Sequence, residues 1–401
     1  MRLSHKFLII LCLSGTALSL PASAQDVPPA VAALLDNIER QTSIKPTYES
    51  IDTDGSGTVT ISKLALNKPS NDKEPSVTMR VDEAVFTNIS DKGNGLFEIG
   101  SADFTNINGD VSGPDVAVTF SVPTMNAEGW YIKAADDNAS PQEKLRASMN
   151  IARKIASGAM TVAMMGQSVT VDSYEQTWDG DPATGAGSFS MKVSNIAVPE
   201  TALAALDQSG MLKQLGYSGL NIDLASKGRL DVTNDNYGGD MTFSVTSRNM
   251  GTINVGFSAA GVPIAVITEL QQAGESGKEP DMTALMPQVQ SISIGDASLR
   301  FEDDSITKKV LPMIAAMQGM DEASFVNMAG PMLQMGLMQL QSPALAEQAT
   351  KAVNSFLKDP KSITIAAKPA TPVTVGEMMS LSNAKPADII SRLGVGVSAN
   401  D

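Results

Sequence analysis

Histidine and cysteine are nearly absent from this 401-residue sequence, which has one of each, His5 and Cys12. Both lie in a segment with the features of a secretory signal peptide: a basic start, an apolar run, and small residues ending at Ala24. We expect residues 1–24 to be removed, which leaves a mature chain with neither imidazole nor thiol. That composition excludes a Ser-His-Asp triad, a cysteine nucleophile, disulfides, and zinc sites built on histidine or cysteine. We therefore expect a protein that is not an enzyme and needs no cofactor.

Positive charge is also scarce, because 29 Lys and Arg residues stand against 44 Asp and Glu residues and give a formal net charge of −15. Such a surface repels phosphate backbones and anionic lipid headgroups, so nucleic acid is not an expected partner. After the leader, no segment has the roughly eighteen uninterrupted apolar residues that a membrane span needs. We therefore expect a periplasmic protein without an integral membrane span.

Aromatic residues make up only 4% of the sequence, which leaves few rings for stacking against sugars. Paired carboxylates can act as acid and base in glycosidases, but a chain with many acidic residues contains many accidental pairs. A hydrolase that uses Asp and Glu alone remains an alternative, and it predicts a compact pocket with two close carboxylates.

The stretch "DTDGSGTVTISK", residues 52–63, begins like the loop of a calcium-binding EF-hand. Asp52, Asp54 and Gly57 match the first half of that loop, but its twelfth position is Lys63, where the ion requires a carboxylate. The following "TVTI" alternates as a strand does. A glycine-containing turn between two strands therefore explains these residues better than a metal site.

A second pattern, apolar-x-apolar-x-x-apolar-x-apolar, recurs along the chain. Its five copies span residues 59–66, 79–86, 97–104, 191–198 and 292–299. Strand side chains alternate between faces, so a one-residue slip would turn half of each strand inside out unless the backbone absorbs the extra residue. A β-bulge absorbs such a residue and bends the strand. The pattern therefore predicts a long, curved antiparallel sheet with one apolar and one wet face.

Helical spacing occurs mainly in the C-terminal third of the sequence. The predicted helices cover residues 27–41, 140–157, 199–209, 305–319, 321–330, 331–341 and 343–358. We expect a mainly β protein with helices, of the α+β class, in which the C-terminal helices pack on the sheet. The expected segments are a signal peptide (1–24), a helix with hairpin repeats (25–140), a central β-rich region (141–304), and a methionine-rich helical region with a final strand and tail (305–401).

Methionines recur at steps of three and four residues in this helical region, which places them along helix faces. They are Met313, Met317 and Met320, followed by Met328, Met332, Met335 and Met338. Three interpretations remain open. The methionines fill gaps where a helix packs on the sheet, they line a groove for acyl chains or another flexible apolar ligand, or their thioethers bind copper(I). Met313, Met317, Met328, Met332, Met335 and Met338 are the candidate groove residues.

The leader, the serial strands "TVTISKLAL" and "SISIGDASLRF", and the absence of catalytic residues resemble the periplasmic portions of AsmA-like envelope proteins of Gram-negative bacteria. The resemblance covers residues 47–125 and 165–305. It implies curved sheets whose concave apolar side shelters lipid tails, with roles in envelope lipid traffic or outer-membrane integrity. The chain differs from that family in lacking an N-terminal membrane anchor and in its methionine-rich end. The resemblance assigns no functional residue.

These observations lead to one expectation of function and one alternative. The expectation is a non-enzymatic periplasmic protein that binds an apolar ligand, a lipid or a lipoprotein segment, in a curved β groove and serves envelope maintenance. The alternative is a structural or assembly factor of the cell envelope that has no small ligand and whose sheet edges pair with an envelope protein.

Overall fold

A computed structural model describes residues 27–70, 75–113, 116–134, 136, 138–149, 151–164, 166–233, 235–276 and 279–401. The predicted signal peptide, residues 1–24, lies outside these ranges. The chain forms two compact units, Met1–Leu206 and Asp207–Asp401, whose boundary differs from the segment boundaries predicted at 140/141 and 304/305. We call them the first and the second unit.

The described part of the first unit is an antiparallel sheet with three helices. The helices are α1 (Pro29–Thr42), α2 (Pro141–Ser148) and α3 (Glu200–Leu206), and the strands are β1 (Ser50–Thr53), β2 (Val59–Lys68), β3 (Ser76–Asp91), β4 (Leu96–Gly113), β5 (Val116–Lys133), β6 (Ile151–Ser157), β7 (Met160–Met164), β8 (Gln167–Gly180) and β9 (Gly187–Val198). The spatial order is β1-β2-β3-β4-β5-β6-β8-β9, and β7 pairs with β5 and β8.

The second unit combines antiparallel strands with most of the helices. The helices are α4 (Met211–Gln214), α5 (Ile264–Ser276), α6 (Met282–Val289), α7 (Ile306–Met317), α8 (Glu322–Leu337), α9 (Pro343–Lys358), α10 (Val375–Leu381) and α11 (Pro386–Leu393), with a 3-10 turn at Met338–Leu340; the strands are β10 (Leu220–Thr233), β11 (Asn236–Ser247), β12 (Gly251–Pro263), β13 (Ser293–Asp303), β14 (Ser362–Ala367), β15 (Val373–Thr374) and β16 (Val395–Ala399). The order is β10-β11-β12-β13-β14-β16, and β15 pairs with β13. The predicted mainly β class with antiparallel strands and C-terminal helices is confirmed.

Three of the predicted helices were wrong in their extent. The helix predicted over 140–157 stops at Ser148, and residues 151–157 form β6 because they pair with β5 and β8. Its predicted start is correct, since Ser140 and Glu143 form a reciprocal capping box. The helices predicted over 321–330 and 331–341 are one helix, α8, which continues through Pro331. A proline removes one backbone donor, and α8, which packs against α9, continues through it.

The core of the first unit lies between α1 and one face of its sheet. Val31 and Leu34 of α1 belong to the same buried cluster as Ile61, Phe86 and Ile99 of the strands, and these three strand residues are fully buried. Burying a large aliphatic or aromatic side chain contributes about 1.5–3 kcal/mol, so a single helix covering the sheet face closes a substantial core.

The slips in the repeated pattern are present, and four of the five are matched across neighbouring strands. Lys63 faces Asp82, Gly100 faces Asn88, and Asn195 faces Asp172, while the register on either side of each pair is unchanged. Both strands of a pair therefore carry the extra residue at the same level. One residue of each pair, such as Lys63 at φ 53°, adopts the left-handed conformation that restores the alternation.

The burial of β2 demonstrates the effect of this arrangement. Val59, Ile61, Leu64 and Leu66 are all buried on one face, although a regular strand would turn the last two outward. The fifth copy differs. There β13 advances by three residues, from Ile294 to Ala297, over the length in which β12 advances by two. The fifth slip is therefore a β-bulge in one strand of the pair.

Side chains bridge the matched slips on the wet face. The Lys63 ammonium donates to Asp82 at 2.8 Å, and the Asn106 amide donates to the other oxygen of the same carboxylate at 3.0 Å. These hydrogen bonds, that from Lys63 first, lower the pKa of Asp82. Asn195 donates in the same way to Asp172 at 2.9 Å. The slip residues thus form short polar ladders across the strands.

The EF-hand-like stretch is the tip of the β1–β2 hairpin, as the sequence predicts. Thr53 pairs with Val59, and the Asp54 carboxylate accepts the backbone N–H groups of Ser56 and Thr58 at 2.8 and 2.9 Å. A hydrogen bond from the Ser56 hydroxyl is the largest of the contributions that lower the pKa of Asp54. The carboxylate therefore folds back on its own turn.

We expect Asn106→Ala to destabilise the first unit more than Asn106→Gly, by about 1 kcal/mol in the free energy of unfolding. Asn106 has φ 52°, and a side chain in this region costs about 1–2 kcal/mol, which the greater entropy of unfolded glycine offsets in part. Both variants lose the bond to Asp82, so their difference isolates the backbone. Urea unfolding followed by circular dichroism measures it, and equal stabilities would contradict the account.

Glu98 generates a second prediction, on pH. Lys92 Nζ lies 2.6 Å and Arg153 Nη2 3.1 Å from its carboxylate, and the hydrogen bond from Lys92 is the main cause of a lowered pKa for Glu98. The folded pKa lies below the unfolded value of about 4.3. The stabilisation is therefore present above that value and is lost as the pH falls through the folded pKa.

Glu98→Gln should accordingly lower the free energy of unfolding at pH 7, and its difference from wild type should shrink as the pH falls below the unfolded pKa and through the folded pKa of Glu98. The exposed Glu83→Gln is the matched control on the neighbouring strand and should cost less at pH 7. A Glu98→Gln effect that stays constant from pH 7 to pH 3 is incompatible with this interpretation.

Candidate functional site

The sheet of the second unit has one apolar face. Residues directly opposite each other in antiparallel strands point to the same face, and the register of β10–β14 and β16 aligns three rows of such residues. The rows are Leu224, Val245, Ile253, Phe301, Ile363 and Ala399; Ser226, Phe243, Val255, Leu299, Ile365 and Val397; and Gly228, Met241, Phe257, Ala297, Ala367 and Val395. Ser226 is the only member of these rows with a polar side chain. We call this surface the open apolar face.

The middle of the open apolar face is exposed. Ile253, Val255 and Phe257 of β12 have 47%, 39% and 46% of their surface accessible, and Leu299 of β13 and Ile365 of β14 have 48% and 50%. Large apolar side chains on a sheet face are normally covered by a second layer. Contiguous exposed apolar patches mark binding surfaces in soluble proteins.

Charged groups lie on the opposite face of the same strands. Arg300, which neighbours Leu299, donates to Glu302 at 2.7 Å, to Thr364 at 3.0 Å and to Asp401 at 2.7 Å. Hydrogen bonds from Ser398 and then from Arg300 lower the pKa of Asp401. This polar network therefore lies on the opposite face of the sheet from the five exposed apolar side chains.

One end of the open apolar face is covered by α9. Phe356 of α9 packs edge-to-face on Phe301, with 6.1 Å between ring centroids. Leu345, Ala349 and Ala352 of α9 are buried as well. The helix layer therefore borders the exposed residues and stops short of covering them.

The candidate groove methionines lie on α7, α8 and the turn after α8, not on the open apolar face. Met317, Met328, Met332, Met335 and Met338 have 81%, 42%, 50%, 69% and 72% of their surface exposed, and Met313 is half-buried. The first interpretation, methionine as core filler, is wrong for the five exposed residues. The buried positions of α7 are Thr307, Leu311 and Ala315. The buried position of α8 is Gly330.

Sequence reasoning missed the five exposed residues of the sheet as site residues. Their strands were predicted from alternation, as in "GTINVGFSA", but alternation marks an apolar face without indicating whether another layer covers it. No local signal in the sequence distinguishes an open from a closed sheet face. That information depends on where α9 packs.

Within the described ranges, other kinds of site are not supported. These residues contain no cluster of three or more His, Cys, Asp or Glu side chains that could hold a metal ion, and the helices among them include none long and apolar enough to span a membrane. An open groove of about 460 Å³ lies between α8 and α9. It is lined by Gln334, Glu347, Thr350, Lys351, Asn354, Ser355 and Lys358.

The exposure of the open apolar face predicts a contrast in stability. Val255→Gln should change the free energy of unfolding by less than about 1 kcal/mol, because the side chain is already in contact with solvent. Ile61→Ala, at a fully buried position of the first unit, should cost about 2–5 kcal/mol. Urea unfolding of both variants checks this, and a Val255→Gln cost as large as that of Ile61→Ala would mean that the face is covered.

Comparison with known proteins gives one match in this region. A protein-family model described as "Uncharacterized protein" matches residues 244–400, which include most of the open apolar face and the methionine-bearing helices. No curated protein is significantly similar to the chain.

Proposed function

We propose that the protein is a non-enzymatic periplasmic factor of the cell envelope that binds a long acyl chain, of a lipid or of an acylated lipoprotein segment, on the open apolar face. The observation that carries the proposal is the exposure of Ile253, Val255, Phe257, Leu299 and Ile365 on three adjacent strands. The signal-peptide-like leader and the acidic composition support a periplasmic address and a partner without a polyanionic surface.

The chemistry of the face favours a hydrocarbon ligand. Backbone N–H and C=O groups inside a sheet are used by the neighbouring strands, so the face offers side chains alone, and apart from Ser226 these have no hydrogen-bonding groups. A ligand with polar groups at this surface would lose its bonds to water without compensation. A methylene chain loses nothing of that kind.

Size and energy set the expected affinity. The exposed residues of β12 span about 14 Å along the strand, and β12 to β14 span about 10 Å across the sheet. Burying about ten methylenes at about 0.8 kcal/mol each gives about 8 kcal/mol before the costs of association. That total corresponds to a dissociation constant no tighter than about 1 µM.

The test is titration of the purified full mature chain with a fluorescent fatty acid, together with native mass spectrometry of protein isolated from a bacterial envelope. We expect saturable binding with a dissociation constant of about 1 µM or weaker, and a lipid-sized mass that co-purifies. The double variant Val255→Gln, Leu299→Gln should weaken binding by about tenfold or more, because two buried contacts of about 1 kcal/mol or more are lost.

Thr242→Gln is the matched control, since Thr242 on β11 pairs with Gly256 and thus lies on the polar face of the same sheet. It should leave binding unchanged. Absence of lipid and of fatty-acid uptake in the wild-type chain would overturn the proposal. If crosslinking in cells then returned one dominant protein partner, the assembly-factor alternative would take its place.

A further inference from the structure

Methionine is distributed unusually between core and surface. Among the described residues, the buried hydrophobic set contains no methionine, although the sequence has 22. The exposed large hydrophobic residues include ten. They are Met164, Met211, Met282, Met317, Met328, Met332, Met335, Met338, Met378 and Met379. Methionine normally fills irregular gaps in cores, so its role here has to be sought at the surface.

One side of α8 contacts α9, and the opposite side carries exposed methionines. Gly330 is buried, and a Cβ atom there would lie 2.5 Å from the Asn354 side chain of α9, so this side of α8 touches α9 closely. At 100° per residue, Met328, Met332 and Met335 lie 140–200° away from Gly330, on the opposite side of the helix. The exposed large hydrophobic residues of α8 are these three methionines.

The three thioethers are spaced for convergence. Residues at i, i+4 and i+7 lie on one helix face, with neighbouring Cβ atoms about 5–6 Å apart. Each methionine has three rotatable bonds beyond its Cα, so neighbouring sulfur atoms can approach a common point above Met332. Thioether sulfur is a soft ligand that selects monovalent copper over harder ions.

We propose that Met328, Met332 and Met335 form a binding site for a soft monovalent metal ion, copper(I). The site would use three thioether ligands on one face of α8 and no charged ligand. Apolar contact alone does not explain the residue choice, because leucine has a similar size and an equal helix propensity, and α8 uses leucine at Leu333 and Leu337. The proposal stands independently of acyl-chain binding.

The same spacing occurs once more, at Met313, Met317 and Met320, and the structure separates the two cases. Helix α7 ends at Met317, and Gln318 is its C-terminal cap, so Met320 lies beyond the helix. The three sulfur-bearing residues therefore do not share one helix face. Only the α8 set meets the geometric requirement.

The experiment is a competition titration of the full mature chain with copper(I) under anaerobic conditions, against the chromophoric chelator bicinchoninate. Silver(I), which is soft and does not change oxidation state, serves as a second probe by native mass spectrometry. We expect one copper(I) per chain. The triple variant Met328→Leu, Met332→Leu, Met335→Leu should weaken binding by about tenfold or more, since loss of ligands costs at least as much as loss of their supporting contacts.

The matched control is Met378→Leu, Met379→Leu on α10. Both residues are exposed, but adjacent positions on a helix do not face the same point, so copper(I) affinity should not change. The triple variant keeps its apolar surface and should keep its helix content and fatty-acid binding. Wild-type affinity in the triple variant, or a wild-type chain that takes no copper(I) from the chelator, would overturn the assignment.

Discussion

The two-residue repeat of the β-strand is the constraint on which the rest of this structure depends. Every apolar side chain must fall on one face of its sheet, and a single extra residue reverses that assignment. The first unit resolves the problem by placing extra residues opposite one another, as at Lys63 and Asp82, so that the ladder continues in register. The second unit resolves it with a bulge in one strand, between Ile294 and Ala297.

A continuous apolar sheet face is stabilised when a second layer of the same protein or a bound partner covers it. In the first unit α1 covers it, and the residues beneath the helix are inaccessible to solvent. In the second unit α9 reaches Phe301 and leaves the middle of β12, β13 and β14 exposed. Within the part of the chain that the structure describes, these side chains keep 39–50% of their surface in contact with solvent, and removing that surface from water would be favourable. The acyl chain that we propose as ligand would bind this exposed part of the sheet.

Much of the fold follows from local sequence. The hairpin tip at Asp54, the five interrupted strands and the start of the helix at residue 140 each have a local physical cause, and each was predicted. The failures have non-local causes. Residues 151–157 became a strand because β5 and β8 flank them, and α8, which packs against α9, continues through Pro331.

The candidate site was less predictable than the fold. The methionines at 313–338 were recognised by spacing, but their exposure depends on which side of α8 meets α9, and Gly330 determines that contact. The residues of the open apolar face were recognised only as strands. Coverage of a face depends on elements distant in the sequence, so alternation alone cannot reveal it.

The most direct test of the central claim, that the open apolar face is accessible to solvent and to an acyl chain, is cysteine labelling. A chain expressed from residue 25 has no cysteine, so Val255→Cys and Ile61→Cys each introduce a single reactive group. The rate of maleimide labelling in the native protein measures access to each position. The account predicts rapid labelling at Val255→Cys, slowing on addition of a saturating fatty acid, and negligible labelling at Ile61→Cys. Slow labelling at Val255→Cys without ligand, or a rate that fatty acid leaves unchanged, would contradict it.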